Sequence, residues 1–352
     1  MKYLIIGLGS MGNRRARNLQ ALGVLKNDIL GFDVTLERRS EFAKTHGTET
    51  VNSLEEAFSQ KLRAVIISTP PDTHMIYAKQ CAERGIPFFT EAGTSTQGME
   101  ELIALITQKK MVGVPSCTLR FHPLIIKMQE LVSSGAIGRL LSFTHHCGQY
   151  LPDWHPWEDY RKFYVSKRST GACREIVPFE LNWLTWIVGW PTEVSGYKAK
   201  VSDLECDIDD IYQVLLKYDD KMLGHLQVDV LARAPTRAFR LLGSEGNIEW
   251  NAVEKSLKIY RSSTGKTENI TENQLTVQAG YSEMSPEQMY INEMNAFLQA
   301  VSGVNQYSHS FEDDLRILKI LNKIEQSSDK GLHIRLENEE VRAYEAVGEI
   351  HG

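Results

Sequence analysis

The sequence predicts an α/β chain whose two parts are built differently, and three observations carry that prediction. Over the first 115 residues, short apolar runs alternate with stretches of helical character. A glycine-rich turn stands where the first of those runs ends. Beyond about residue 120 the apolar runs give way to segments in which apolar and polar residues alternate. Strands buried on both faces read as unbroken apolar runs separated by crossover helices, whereas half-buried antiparallel strands read as alternation. The first region therefore predicts a doubly wound parallel sheet, and the second a mostly antiparallel sheet with one face open.

The elements follow in order. Tyr3 to Ile6, Asp28 to Asp33, Ala64 to Ser68, Pro87 to Thr90 and Met111 to Val114 read as buried strands. Between them, Asn13 to Leu22, Leu36 to His46, Pro71 to Arg84 and Gly98 to Lys109 read as helices. Ser53 to Phe58 is a shorter helix opened by a Ser53/Glu56 capping box. After Pro123 to Ser134, a helix, come strands at Leu140 to His146, Glu193 to Lys200, Tyr212 to Tyr218, Leu223 to Val230, Arg237 to Leu242, Asn247 to Trp250 and Leu257 to Tyr260. Ser262 to Asn273 reads as a polar loop, and Met289 to Val301 and Phe311 to Ser327 as amphipathic helices. The expected division is 1–118, 119–336 and a polar tail at 337–352. No internal repeat is visible.

Composition narrows the function. The 352 residues carry a net charge of −6 and a pI near 6.0, the opposite of the basic face a nucleic-acid binder needs. No stretch approaches the roughly 20 apolar residues of a membrane span, and the start does not read as a signal peptide. The five cysteines are scattered, with no C-x-x-C pair, which argues against a zinc site or a disulfide framework and fits a reducing cytoplasm.

Gly7-Leu8-Gly9-Ser10-Met11-Gly12 is G-x-G-x-x-G between a strand and a helix, the context in which that motif binds dinucleotides. Gly7 permits the turn, Gly9 a close approach of backbone to diphosphate, and Gly12 tight packing of helix on strand. Ser10 and Met11, within the same turn, are candidate cofactor-binding residues, and the N–H groups of the helix that follows face the phosphates. Asp33, ending the second strand, suits the ribose hydroxyls of NAD and repels the 2′-phosphate of NADP. Arg38 and Arg39 lie near enough to temper that choice, although a solvated helix face is the better account of them.

Further motifs line up with one family. Ser68-Thr69-Pro70-Pro71-Asp72-Thr73-His74 follows the third long strand, and Thr90-Glu91 the next. Leu119-Arg120-Phe121-His122-Pro123 opens the following helix, Gly135-Ala136-Ile137-Gly138 closes it, and a Gly243-Ser244-Glu245-Gly246 turn comes late in the chain. Their order resembles the Gfo/Idh/MocA oxidoreductases over about residues 1–335. The resemblance implies a Rossmann domain followed by an α/β domain on a large, mostly antiparallel sheet. It also implies hydride exchange between NAD(P) and a hydroxyl carbon of a sugar or cyclitol. Ser68, Thr69, Pro70 and His74 would then lie along the cofactor, and Glu91 would reach the nicotinamide ribose. Family members commonly pair their sheet faces, which implies a homodimer or homotetramer through the C-terminal sheet.

The chain departs from the family where proton transfer is expected. Glu91-Ala92-Gly93 stands in place of the usual Glu-Lys-Pro, and Gly171-Ala172-Cys173-Arg174-Glu175 to Phe179 puts Glu175 at the usual Asp and Phe179 at the usual His. Neither Ala92 nor Phe179 can take a proton. Glu175 becomes a base if a dry environment raises its pKa, and Arg174 lowers that value if it points the same way. The aromatic-rich stretch Gln149 to Tyr164 offers His155 and Tyr160 as alternative proton carriers. Trp154 and Phe179 suit a sugar face, while Arg120, Arg161, Arg174 and Lys167 could hold an anionic substituent. Such segments resemble a family branch associated with bacterial surface-sugar metabolism. Two other readings stay open: an NAD-binding regulator or scaffold without catalysis, and NAD-dependent elimination or hydrolysis of a glycoside. No metal is expected. His145, His146 and Cys147 are adjacent on a strand and point to opposite faces, Cys173 reads as a buried thiol, and Cys206 to Asp210 lacks the spacing of a calcium loop.

Overall fold

The structure, a computed structural model, describes residues 1–154, 159–219, 221–271 and 286–336. Its elements run β1 (Lys2–Ile6), α1 (Ser10–Ala21), β2 (Ile29–Phe32), α2 (Leu36–His46), β3 (Glu49–Thr50), α3 (Leu54–Ser59), β4 (Leu62–Ile67), α4 (His74–Arg84), β5 (Phe88–Thr90), α5 (Met99–Lys109) and β6 (Gly113–Pro115). There follow α6 (Pro123–Ser133), β7 (Leu140–Gly148), α7 (Cys173–Val188), β8 (Glu193–Ala199), β9 (Ile211–Lys217), β10 (Leu223–Asp229), β11 (Thr236–Gly243), β12 (Gly246–Asn251), β13 (Ser256–Arg261), β14 (Lys266–Thr271), α8 (Glu287–Val301), α9 (Phe311–Lys330) and β15 (Ile334–Arg335).

The described chain divides into two compact units. The first takes in Met1–Phe121 and Glu287–Leu315; the second holds the remaining described residues from His122 onward. The expected contiguous second domain is thus interrupted. Helix α8 returns to the first unit because its apolar stripe, Met294 and Phe297, completes the core formed by Tyr3, Ile5, Leu19, Ile66 and Phe89. Burying those two side chains is worth roughly 1.5–3 kcal/mol each, which neither part of the first unit would gain alone.

In the first unit the strands form an all-parallel sheet in the order β3-β2-β1-β4-β5-β6. The order reverses direction between β1 and β4, and ligands of open α/β sheets bind beyond the carboxyl ends of strands at such a switch. The capping box at α3 forms in part: Ser53 Oγ accepts from Glu56 N at 3.1 Å, but the Glu56 carboxylate takes the N–H of Asn52, not that of Ser53.

The second unit carries a nine-stranded sheet, β14-β13-β12-β11-β7-β10-β9-β8-β15, antiparallel except where β7 meets β10. Alternation sets its faces. Phe143, His145, Leu226, Phe239 and Trp250 are buried, while Tyr197, Leu215 and Leu223 on the opposite face are 73%, 60% and 57% exposed. The expected polar loop 262–273 holds a strand, β14. Its Lys266-Thr267-Glu268-Asn269-Ile270-Thr271 sequence is exposed and gives no alternation, so the strand is held by backbone pairing with β13. The tail 337–352 lies outside the described residues. Among the described residues no helix is long and apolar enough to cross a membrane, and no group of side chains could hold a metal ion.

Candidate active site

In the first unit the glycine turn joins β1 to α1. Gly7 has φ +88°, and a Cβ there would stand 2.6 Å from the Ser68 carbonyl oxygen, so the turn lies against Ser68 and Thr69 at the end of β4. At Gly12 a Cβ would stand 1.9 Å from the Gly7 carbonyl oxygen. Both positions need glycine for the fold. Gly9 differs: the only protein atom near its missing Cβ is Arg38 Nη1, at 4.0 Å. Nothing among the described residues demands glycine there, and the open space lies at the amino end of α1, whose N-cap, Gly9, makes no side-chain capping bond. An exposed Ser10 and a half-buried Met11 follow it. That cradle fits a dinucleotide diphosphate, which needs backbone N–H groups and close approach.

Asp33 is buried beside it. Its Oδ2 accepts from Leu8 N at 2.8 Å and its Oδ1 from Thr35 N at 2.8 Å, which fixes the carboxylate at the rim of the turn. Arg38 reaches within 3.8 Å of Asp33 Oδ2, and Arg39 Nη1 donates to the Asp33 carbonyl at 2.6 Å. Arg38 is thus an exposed residue of the helix face that comes near Asp33, as the solvated-face reading has it, whereas Arg39 is tied to the Asp33 backbone. His74 is buried, its Nε2 2.7 Å from the Thr69 carbonyl, which pins the turn through the exposed Pro70; burial lowers its pKa. Glu91 does not stand alone: Arg15 holds it by two bonds of 2.7 Å and Ser68 Oγ by a third of 3.0 Å. Arg15 also pairs with the fully buried Glu293 of α8 at 2.9 Å. Sequence reading missed this Glu91–Arg15–Glu293 chain because its third member lies 202 positions beyond Glu91 in the sequence. Arg120, on the turn before α6, is buried and donates to the Ser308 carbonyl at 3.0 Å, so packing within this unit already engages one of its nitrogens.

In the second unit the candidate chemistry centres on the amino end of α7. Glu175 stands in its first turn, half-buried. Burial pushes its carboxyl up to about 7, against an opposing pull from the Tyr164 hydroxyl, which donates to Oε1 at 3.1 Å. Oε2 is shielded from solvent and has no hydrogen-bond partner among the described residues. Arg174 does not neutralise this carboxyl. Its Nε donates to Glu325 Oε1 at 2.9 Å and its Nη1 to the Ser169 carbonyl at 2.8 Å. Of the two outcomes the sequence allowed for Arg174, the structure has the one that leaves Glu175 raised.

The other candidates are dispersed. Tyr160 Oη accepts from Glu205 N at 3.3 Å, and Arg161 pairs with Asp159 and Glu205, both at 2.7 Å. Those bonds tie 159–161 to the acidic 205–210 segment, which Arg168 also grips through Asp207 and Asp209. Lys167 is exposed, and its backbone bridges to Asp207. Trp154 has a shielded Nε1 without a partner among the described residues, and Phe179 is half-buried, 5.9 Å from the Arg237 guanidinium. His155 lies outside the described residues. His145 and His146 do diverge: His145 bonds Glu180 at 2.8 Å beneath the sheet, and His146 bonds Asp229 at 2.6 Å on the open face. Glu180, which also meets Arg237 at 2.9 Å and Trp183 Nε1 at 2.8 Å, escaped sequence reading because it occupies a helix face that otherwise reads as apolar.

Comparison with known proteins finds a match for each part of the chain. The Gfo/Idh/MocA model described as an oxidoreductase family, NAD-binding Rossmann fold, matches residues 1–115, and the Gfo/Idh/MocA C-terminal domain model matches residues 125–249. D-xylose 1-dehydrogenase (NADP(+)) 2 of Haloferax volcanii is 22% identical over 85% of this chain and 89% of its own. Levoglucosan dehydrogenase of Pseudarthrobacter phenanthrenivorans is 24% identical over 76% and 78%. Among solved structures, a levoglucosan dehydrogenase complex with NADH superposes with a TM-score of 0.82 at 19% identity, covering 96% of this chain and 99% of that one. An Agrobacterium radiobacter oxidoreductase in complex with NAD+, L-tartaric acid and magnesium gives 0.83 at 13% identity, covering 95% and 98%.

Proposed function

Because the chain belongs to the Gfo/Idh/MocA oxidoreductase family, we propose that it oxidises a hydroxyl carbon of a sugar, sugar derivative or cyclitol, with Glu175 taking the hydroxyl proton. The observation that carries the reading is the Glu175 carboxyl, sheltered at the start of α7 with Oε1 held by Tyr164, where burial raises its pKa and the usual lysine and histidine are absent. A base serves best when its pKa lies near the working pH, because it is then both unprotonated and basic enough to accept. NAD, when bound, supplies the acceptor for the hydride. The chain's own part is to cradle the diphosphate at Gly9 and to present Asp33 to the adenosine ribose. Asp33 favours NAD; the nearness of Arg38 leaves NADP as the weaker cofactor. A sugar-type substrate is supported by what the xylose and levoglucosan dehydrogenases act on.

Mixing the protein anaerobically with NAD and a panel of free and nucleotide-linked sugars tests this. Nicotinamide reduction with at least one sugar, lost in Glu175→Gln, is the expected outcome. Tight NAD binding with no turnover would instead favour a regulator. Sugar product without net nicotinamide change would favour elimination or hydrolysis.

The same reading places the open face of the nine-stranded sheet in a homodimer or homotetramer. Tyr197, Leu215 and Leu223 need cover, and exposed apolar area of this kind marks interfaces. Sedimentation should give a dimer or larger at micromolar concentration. The free cysteines, four of them buried, agree with a cytoplasmic setting.

A further inference from the structure

Tyr164 lies outside the family signature, and the proton transfer just described does not use it. The chain nevertheless builds a frame around it. Tyr164–Ser166 forms one 3-10 turn, closed by Ser166 Oγ donating to the Phe163 carbonyl at 2.9 Å. Thr170 Oγ1 donates back to the Tyr164 carbonyl at 2.9 Å, and the Lys167 carbonyl accepts from Thr170 N at 3.2 Å and Gly171 N at 3.0 Å. Gly171 admits the turn: a Cβ there would stand 2.2 Å from the Val165 carbonyl oxygen. The segment is thus folded onto the start of α7, one turn before Glu175.

The outcome of that folding is one contact, the Tyr164 hydroxyl on Glu175 Oε1 at 3.1 Å, with Oε2 left sheltered and without a partner among the described residues. The charged neighbour on the same helix, Arg174, is turned onto Glu325. Among the described residues, the titratable group that acts on the carboxyl from the turn packed against it is Tyr164. We infer that Tyr164 is a positioning residue: by holding Oε1 it fixes the orientation and the ionisation of the carboxyl that receives the substrate's proton. This rests on the reading that Glu175 is the base.

The chemistry balances. The substrate O–H bond breaks and an O–H bond forms on the Glu175 carboxyl; the freed electron pair completes the substrate carbonyl as the hydride passes to the coenzyme. The neutral acid still accepts from the phenol. The contact is stronger with the carboxylate than with the acid, because hydrogen bonds to charged groups are the stronger kind. Losing it should make Glu175 harder to ionise.

Tyr164→Phe removes the hydroxyl and keeps the ring. Infrared titration of the cofactor-free protein follows the Glu175 carboxyl band, identified by its loss in Glu175→Gln. We expect the midpoint to move up from about 7 by about one unit of pH, the acid limb of kcat/KM to follow, and turnover at pH 6 to fall about tenfold with KM little changed. Thr170→Val keeps the phenol but loosens its turn, and should move the midpoint the same way by less. A midpoint that stays fixed in Tyr164→Phe overturns the inference, including when the melting temperature falls, since that would mean the phenol only packs. A midpoint that moves while no sugar is turned over by the wild type overturns the functional reading instead.

Discussion

Replacing Gly9 by alanine separates the glycine proposed to serve a ligand from those that serve the fold. Gly9 sits at φ −74° and ψ −158°, which an alanine adopts without strain, and among the described residues its Cβ would meet nothing nearer than Arg38 Nη1 at 4.0 Å. Removing a glycine from a compatible position stabilises by about 0.4–1 kcal/mol through the unfolded chain. Alanine is the poorer N-cap by a similar amount, so the two terms offset. The melting temperature should therefore stay within about 2 °C of wild type. Coenzyme binding should not survive as well. On the proposed placement, the methyl group would fill the space in which diphosphate oxygens approach the N–H groups of α1, and each lost bond to a charged oxygen costs about 1.5–3 kcal/mol. An NAD Kd at least tenfold weaker is expected, equivalent to about 1.4 kcal/mol. Calorimetric titration beside a melting curve measures both quantities. Unchanged affinity in a folded variant would refute the placement of the diphosphate on Gly9. A drop of more than about 5 °C would show that the fold itself needs this glycine.

Three other outcomes follow from the second unit. Burial raises the Glu175 carboxyl above its ordinary range, so the stability gained from protonating it is present at low pH and lost as pH rises through about 7. Glu175→Gln should accordingly unfold with about 1–2 kcal/mol more stability than wild type at pH 8, with the gap closing towards pH 5, as denaturant titrations at the two pH values would reveal. Glu180 is fully buried, its pKa pulled down to about 2 because Arg237 and His145 outweigh the burial that would raise it. Glu180→Gln leaves the Arg237 charge poorly compensated and should cost about 3–5 kcal/mol; a loss below 1 kcal/mol would mean Arg237 finds another partner. Ala172, at the N-cap of α7, holds φ +54° and ψ −131°, a conformation close to glycine-only. Ala172→Gly should relieve about 1 kcal/mol of strain after the entropy cost of glycine, read as a rise in melting temperature of a few degrees.

The first unit was legible because its strands are buried on both faces and therefore apolar throughout. Helix α2 begins and ends where the sequence predicts it, closed by Gly47 at φ +64°. β14 was not legible: an exposed strand paired by backbone alone carries no signal in its side chains. Glu175 could be named from the family signature, but not the direction Arg174 takes, since that depends on Glu325, 151 positions away. Tyr164 was hidden for a related reason. It meets Glu175 through an irregular turn, and no helical or strand period predicts that contact.

The interruption of the first unit by the second bears on how the protein is made. A ribosome finishes β6 long before it reaches α8, and at about 5–20 residues per second the interval is roughly 10 to 30 seconds. During that wait Arg15 lacks Glu293, and the surface that later receives Met294 and Phe297 is wet. Vectorial synthesis therefore offers the second unit a head start, and a nascent chain halted anywhere before Glu287 should be protease-sensitive throughout its amino-terminal third.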